Sequence, residues 1–441
     1  KNATVASNFY QAVNKDWLLK TKIPADSPSI DNFYTLDEDI KGKLKKDIKN
    51  LGEGKETSDI TGMSEFITFY KAASDYKQRE KDGLEPLKPY LKEIEDIKDL
   101  NDLASKSASL TDKGIPLPFG YNVGTNAENT SQKQIQLSPP SILLPDVSIY
   151  KDEASKKQYL TPIETATQKA MEMLGYSEKN SKRIVKEALE FDEIIAKYSL
   201  SNEEMSESKN LVHPKTAEEI NAYSGSFKLY DVIKGIMGRD LETINVPNTK
   251  YFENYSKIVN QDNFSKIKSW ILVQEAMAAS NSLTEDYRLN FASISMAIMG
   301  TQKPISKEDT VYEMSVNLFS DVMSVYYGRK YFGEEAKTDV TGMIDKIKNV
   351  YRGRLQQNDW LTEDTRNKAI EKLDKMKVFV GYQEDVDPGT KELHLDPNKS
   401  FFELSEDIAQ FGKRYTIDHF DDPIDKNKWS GSAFDINAYY N

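Results

Sequence analysis

The stretch "SEKNSKRIVKEALEFDEIIAKYS", Ser177–Ser199, decides the fold class. Ile184, Ala188, Phe191 and Ile195 recur at helical spacing, with Val185 and Leu189 flanking them, so one face of a long helix is apolar. Ser177 stands where an N-cap is needed, just ahead of Glu178. The same period runs through most of the chain. Phe66, Phe69, Tyr70 and Ala73 form a stripe that ends before Gly83 and Pro86. After Trp360, Thr362 supplies a cap, Glu363 and Asp364 suit the first turn, and Ala369, Leu373 and Met376 share a face. The chain therefore reads as mainly α.

Strand signals are few. Leu117–Val123 and Gln134–Leu137 flank the turn-rich "GTNAENTS", which predicts a β-hairpin within the helical body. "VFVGY" (378–382) and "PGTKELHL" (388–395) turn toward strand and turn chemistry. In "SAFDINAYYN", Ser432–Asn441, Phe434, Ile436 and Ala438 alternate with Asp435, Asn437 and Tyr439, which predicts an extended strand. Such a strand needs a neighbour to satisfy its backbone groups.

Composition narrows the function. A chain of 441 residues, 38% hydrophobic and 29% charged, has enough apolar surface for a large core. No run approaches the roughly 20 apolar residues of a membrane helix. A net charge of −12 disfavours nucleic acid as a partner. With no cysteine there is neither a disulfide framework nor a thiolate metal site; a cytoplasmic location is expected, with export behind a removed leader as the alternative, since exported bacterial proteins also commonly lack cysteine. His213, His394 and His419 lie far apart in sequence, outside any H-E-x-x-H arrangement, and are read as surface or locally hydrogen-bonded residues. Neither a phosphate-binding nor a dinucleotide glycine loop is present. The acidic pairs Glu203-Glu204 and Asp421-Asp422 read as solvated faces, and Trp17, Trp360 and Trp429 as core anchors.

Six segments, in order, carry a family resemblance. They are "SNFYQAVNKDWLLKTKIPADSPSIDNFYTLDEDI" (7–40), "GLEPLKPYLKEIEDI" (83–97), "LLPDVSIYKDE" (143–153), "ALEFDEIIAKYSLSNEEM" (188–205), "YRGRLQQNDWLTEDTRNKAIEKLDKMKVFVGY" (351–382) and "DDPIDKNKWSGSAFDINAYYN" (421–441). Together they resemble the N-terminal two-thirds of the neprilysin-like M13 zinc endopeptidases. The absence of cysteine is similar to the family's bacterial oligopeptidase branch, often called PepO.

The resemblance implies a large helical lid lobe with a β-hairpin, plus the first part of a thermolysin-like α+β catalytic lobe. It implies an N-terminal segment over 1–25 packing on the catalytic lobe, a lid domain over 26–377, and the start of the catalytic domain over 378–441. The implied activity is zinc-dependent hydrolysis of oligopeptides in an enclosed cavity. The family's H-E-x-x-H helix follows its N-A-Y-Y strand, so the zinc ligands and catalytic residues fall outside this sequence. No metal ligand and no catalytic residue is assigned here. Partners are peptide substrates and a C-terminal catalytic portion. The resemblance implies that Asn437, through its amide, and Ala438, through its backbone, bind substrate on an edge strand. Family members that hold a substrate carboxylate place arginines near the N-F segment, whereas Ser29–Asp37 has none. A reading from a different class is a non-catalytic helical peptide-binding or scaffolding protein. The mass of the intact gene product separates the two.

Overall fold

The computed structural model describes residues 4–440 of the protein. It is mainly helical, with one small four-stranded sheet. The helix expected from its periodicity spans Glu178–Tyr198, and Ser177 caps it by accepting a hydrogen bond from the Asn180 amide. Its buried face comprises Ser181, Ile184, Val185, Ala188, Phe191, Asp192, Ile195 and Ala196. The apolar stripe supplied the face, and packing drew Asp192 into it. The helix Phe264–Ala278 lies against this face, with Trp270 edge-on to Phe191 at 5.9 Å.

The hairpin forms where the sequence placed it. β1 (Gly120–Thr125) pairs antiparallel with β2 (Lys133–Ser138), with Val123 opposite Ile135. Asn126 sets the turn, its Oδ1 accepting from the Glu128 and Asn129 amides. Two short strands extend the sheet beyond β2. β3 (Pro214–Lys215) pairs antiparallel with β4 (Ile244–Asn245), and β4 runs parallel to β2, giving the order β1-β2-β4-β3.

The chain divides into two compact units. The first comprises residues through Thr35, Asp75–Thr310 and Asn398–Ile424, and it holds the sheet and the large core around Trp270. The second comprises Leu36–Ser74, Val311–Pro397 and the residues from Asp425 onward. In the second unit Phe66, Phe69 and Ala73 are buried on the helix Met63–Ser74, and Phe66 meets Phe319 edge-on at 5.8 Å. The helix Glu363–Lys375 is capped by Thr362, as its sequence requires, and Leu373 is its buried residue. By contrast, the 24-residue helix Gly333–Gln356 buries none of its residues.

Four expectations need correction. "VFVGY" forms no strand. Gly381 adopts φ +73°, outside the extended region, and Tyr382 turns inward to 3% exposure against Gly328, where a Cβ would overlap its ring. Within "PGTKELHL", Pro388 occupies the first turn of a short helix, Pro388–Glu392. The segment 435–440 joins no strand ladder among the described residues, and Asn441 lies outside them. Alternation had supplied a face for that strand, but no described segment supplies the partner. The tryptophan assignment also fails in part. Trp17 and Trp360 are 37% and 78% exposed, and the buried tryptophan is Trp270 at 1%.

Candidate functional site

Asn437 and Ala438 lie on an exposed segment of the second unit. What fixes that segment lies just before it. The Ala433 amide donates to the Ser324 Oγ at 2.8 Å, and Ser324 is fully buried on the helix Ser320–Tyr327. Ser432 and Asp435 close a turn, through the Asp435 amide to the Ser432 carbonyl and the Ser432 amide to the Asp435 carboxylate. Trp429 packs edge-on against Phe379 at 5.2 Å. Beyond this anchor the Asn437 Oδ1 accepts from the Ala438 amide at 2.8 Å, and the Asn437 Nδ2 bonds no described residue. The arrangement leaves a row of main-chain groups that could bond an extended peptide.

The anchor also lines a cavity of about 260 Å³, with Trp429, Ser432 and Asp435 joined there by Asp321, Gln383 and Asp387. Asp321 is held in place by the Thr390 hydroxyl at 2.6 Å and the Asp387 amide at 2.9 Å. Burial, then the charge of Asp321, raises the Asp387 carboxyl above its ordinary value, and Lys428 opposes the rise. The spacing of these residues in sequence gives no sign of the cavity, because three distant segments build it.

The histidines are dispersed. The His213 main chain pairs with Asn245 and Val246, and His394 is 84% exposed and 3.9 Å from Glu65. His419 stacks on Tyr415 and bonds its carbonyl. Among the described residues no three His, Cys, Asp or Glu side chains are arranged to hold a metal ion, so these residues do not fit a zinc site. Of the acidic pairs, Glu204 closes a capping box with Ser201, and Asp421 pairs with Arg239.

A buried polar node in the first unit was not visible in the sequence. Asp192, fully buried, accepts from the Tyr150 hydroxyl at 2.6 Å, the Trp270 Nε1 at 2.9 Å and the Leu143 amide at 3.0 Å. Burial raises its carboxyl to about 6, and the three donors act in the opposite sense. The node ties the 143–150 segment to two core helices, which is a structural role.

Comparison with known proteins places these features in a family. The profile of peptidase family M13 matches residues 5–383. The chain is 32% identical to a neutral endopeptidase of Lactobacillus helveticus, over 97% of this chain and 66% of the relative. It is 29% identical to a neutral endopeptidase of Lactococcus lactis subsp. lactis, over 99% of this chain and 69% of the relative. The chain thus spans about two-thirds of the length of these relatives. Among solved structures, PepO from Lactobacillus rhamnosis HN001 superposes with a TM-score of 0.91 at 23% identity, over 98% of this chain and 68% of that one. Zinc metalloprotease Zmp1 of Mycobacterium tuberculosis, in complex with an inhibitor, gives 0.87 at 19% identity, over 100% of this chain and 66% of that one.

Proposed function

Because this chain belongs to peptidase family M13, we propose that it is the N-terminal part of a zinc-dependent endopeptidase that hydrolyses oligopeptides in an enclosed cavity. The observation that carries the reading is the match along nearly the whole chain to neutral endopeptidases about half as long again. Zinc and its ligands belong to the remaining C-terminal portion, so no step through the metal is assigned to residues of this chain. What this chain supplies is enclosure and peptide positioning. Residues 26–377 act as the lid, 378–441 begin the catalytic domain, and the end of the family profile at 383 supports that boundary. Residues 1–25 pack on the catalytic domain. Phe9, Val13 and Leu19, exposed at 65%, 61% and 74%, support this because apolar side chains so placed gain from cover.

The substrate lies along 435–440, with Asn437 bonding its backbone through the side-chain amide and Ala438 through its main chain. The exposed Asn437 and the absence of a ladder along 435–440 support this. To test it, Asn437→Ala is placed in a chain extended through the relatives' full length. Loss of one hydrogen bond worth about 0.5–1.5 kcal/mol, more if a polar group is stranded, lowers kcat/KM on the order of 3- to 30-fold. Zinc content and melting temperature should be unchanged. A destabilised variant with wild-type kcat/KM would return Asn437 to a structural role.

A further inference from the structure

The segment 435–440 and everything that holds it lie in the second unit. Some of its restraints are internal and move with it. The Asp435 amide bonds the Ser432 carbonyl and the Ser432 amide bonds the Asp435 carboxylate, which closes a turn. The Tyr439 hydroxyl lies over Gly431, where a Cβ would overlap it. Other restraints reach into the rest of the unit. Trp429 meets Phe379 edge-on at 5.2 Å, the Lys372 ammonium stands 5.5 Å from the centre of the Tyr440 ring, and the Ala433 amide donates to the Ser324 Oγ at 2.8 Å.

These outward restraints differ in precision. A contact with a ring face or edge survives a small slide of the chain, because it is a sum of many weak attractions. A hydrogen bond weakens steeply with distance and angle. The bond to Ser324 also engages a main-chain group, so it fixes position along the chain whatever side chain stands at 433. Its acceptor is firmly supported. Ser324 is fully buried on the helix Ser320–Tyr327, whose Val322, Met323, Val325 and Tyr326 are buried with it. Near the start of that helix Asp321 accepts from the Thr390 hydroxyl and the Asp387 amide, and near its end the Tyr326 hydroxyl donates to Glu56 at 3.1 Å. An oxygen carried on a helix tied at both ends makes a fixed reference point.

We propose that Ser324 is a positioning residue for peptide binding, setting the register of 435–440 through the Ala433 amide. Asn437 follows Ala433 by four residues, at most about 13 Å of extended chain, so little slack separates the fixed amide from the binding groups. Successive side chains of an extended chain point to opposite faces. A slide of one residue would therefore turn the Asn437 amide away from a peptide lying on its face. Ser324 itself touches no substrate. The inference rests on the reading that substrate lies along 435–440. Main-chain bonds to a peptide form on binding and persist into the reaction, so a loosened register weakens KM and spares kcat.

Two measurements test it. In amide hydrogen exchange on the purified chain, corrected for intrinsic rates, the Ala433 amide should exchange about tenfold or more slowly than the Ile436 amide. Ser324→Ala should erase that difference while the helix Glu363–Lys375 keeps its wild-type protection. Equal exchange of the two amides in the wild type would overturn the anchor. The second measurement uses the chain extended through the relatives' full length. There Ser324→Ala should lower kcat/KM by about 3- to 30-fold, carried by KM, with kcat within about twofold of wild type. Ser324→Thr, which keeps the hydroxyl, should recover to within about threefold. Combined with Asn437→Ala, the loss from Ser324→Ala should shrink, because a group it positions is gone. An undiminished loss in that background, or a lowered melting temperature with wild-type KM, would return Ser324 to a structural role. If Asn437→Ala alone lowers kcat/KM, the substrate reading stands and Ser324 does not position it. If neither substitution lowers kcat/KM, the substrate reading falls and takes this inference with it.

Discussion

The helices Phe264–Ala278 and Gly333–Gln356 are built from the same backbone geometry and live in opposite conditions. The first has 15 residues, and nine of them are buried, including Trp270, Ser269 and Glu275. The second has 24 residues and buries none. Apolar residues occur on both. In the second they form a stripe at Met343, Ile347, Val350 and Tyr351, which stay 48%, 57%, 56% and 60% exposed. Helical periodicity thus tells which face is apolar without telling whether anything covers it. The stability of this chain should therefore respond to the first helix and hardly at all to the second.

Trp270→Ala should have the largest effect. Removing a buried tryptophan costs about 3–5 kcal/mol, and the loss of its Nε1 donor also weakens the Asp192 node. Denaturant unfolding measures this, and a loss below about 1 kcal/mol would break the contrast. The Asp192 carboxyl comes next. Its folded value of about 6 lies above the ordinary 3.8, so its contribution is full below about pH 4 and lost as pH rises through 6. Between pH 4 and 7 this amounts to about 2–3 kcal/mol at most. Asp192→Asn has a lower overall stability, because three donors then face one acceptor oxygen, but it lacks that pH-dependent component. Melts of both proteins across the range measure the difference between their slopes.

Gly328→Ala sharpens the comparison within the second unit. There the close approach of Tyr382 leaves no room for a methyl group, and overpacking costs about 1–3 kcal/mol. Ile347→Ser on the exposed stripe should have the smallest effect, within about 0.5 kcal/mol for this chain. A larger loss would mean that the stripe is already covered in solution.

Much of the fold was legible because the signals that specify it are local. Ser177 and Thr362 cap their helices as the sequence requires, since a cap is decided within four residues. Asn126 closes the hairpin for the same reason, and the family resemblance rests on ordered motifs that the comparisons bear out. The C-terminal candidate site was legible only as a pattern. The alternation over 432–440 marks a strand-like face, but strand formation depends on a partner from elsewhere, and no described segment provides one.

Sequence by itself determined the helical class, the hairpin and its turn, and the family. Tertiary structure alone decided which tryptophan is buried, that Tyr382 turns in against Gly328, and that Asp321, Asp387 and Asp435 line one cavity. It also decided that Asp192 and Glu275 leave water. Periodicity and capping are set by neighbours a few bonds away. Burial, pairing and the ionisation they impose are set by residues far apart along the chain, such as Asp192 and Trp270 or Asp321 and Asp435, whose meeting is fixed only when the chain closes on itself.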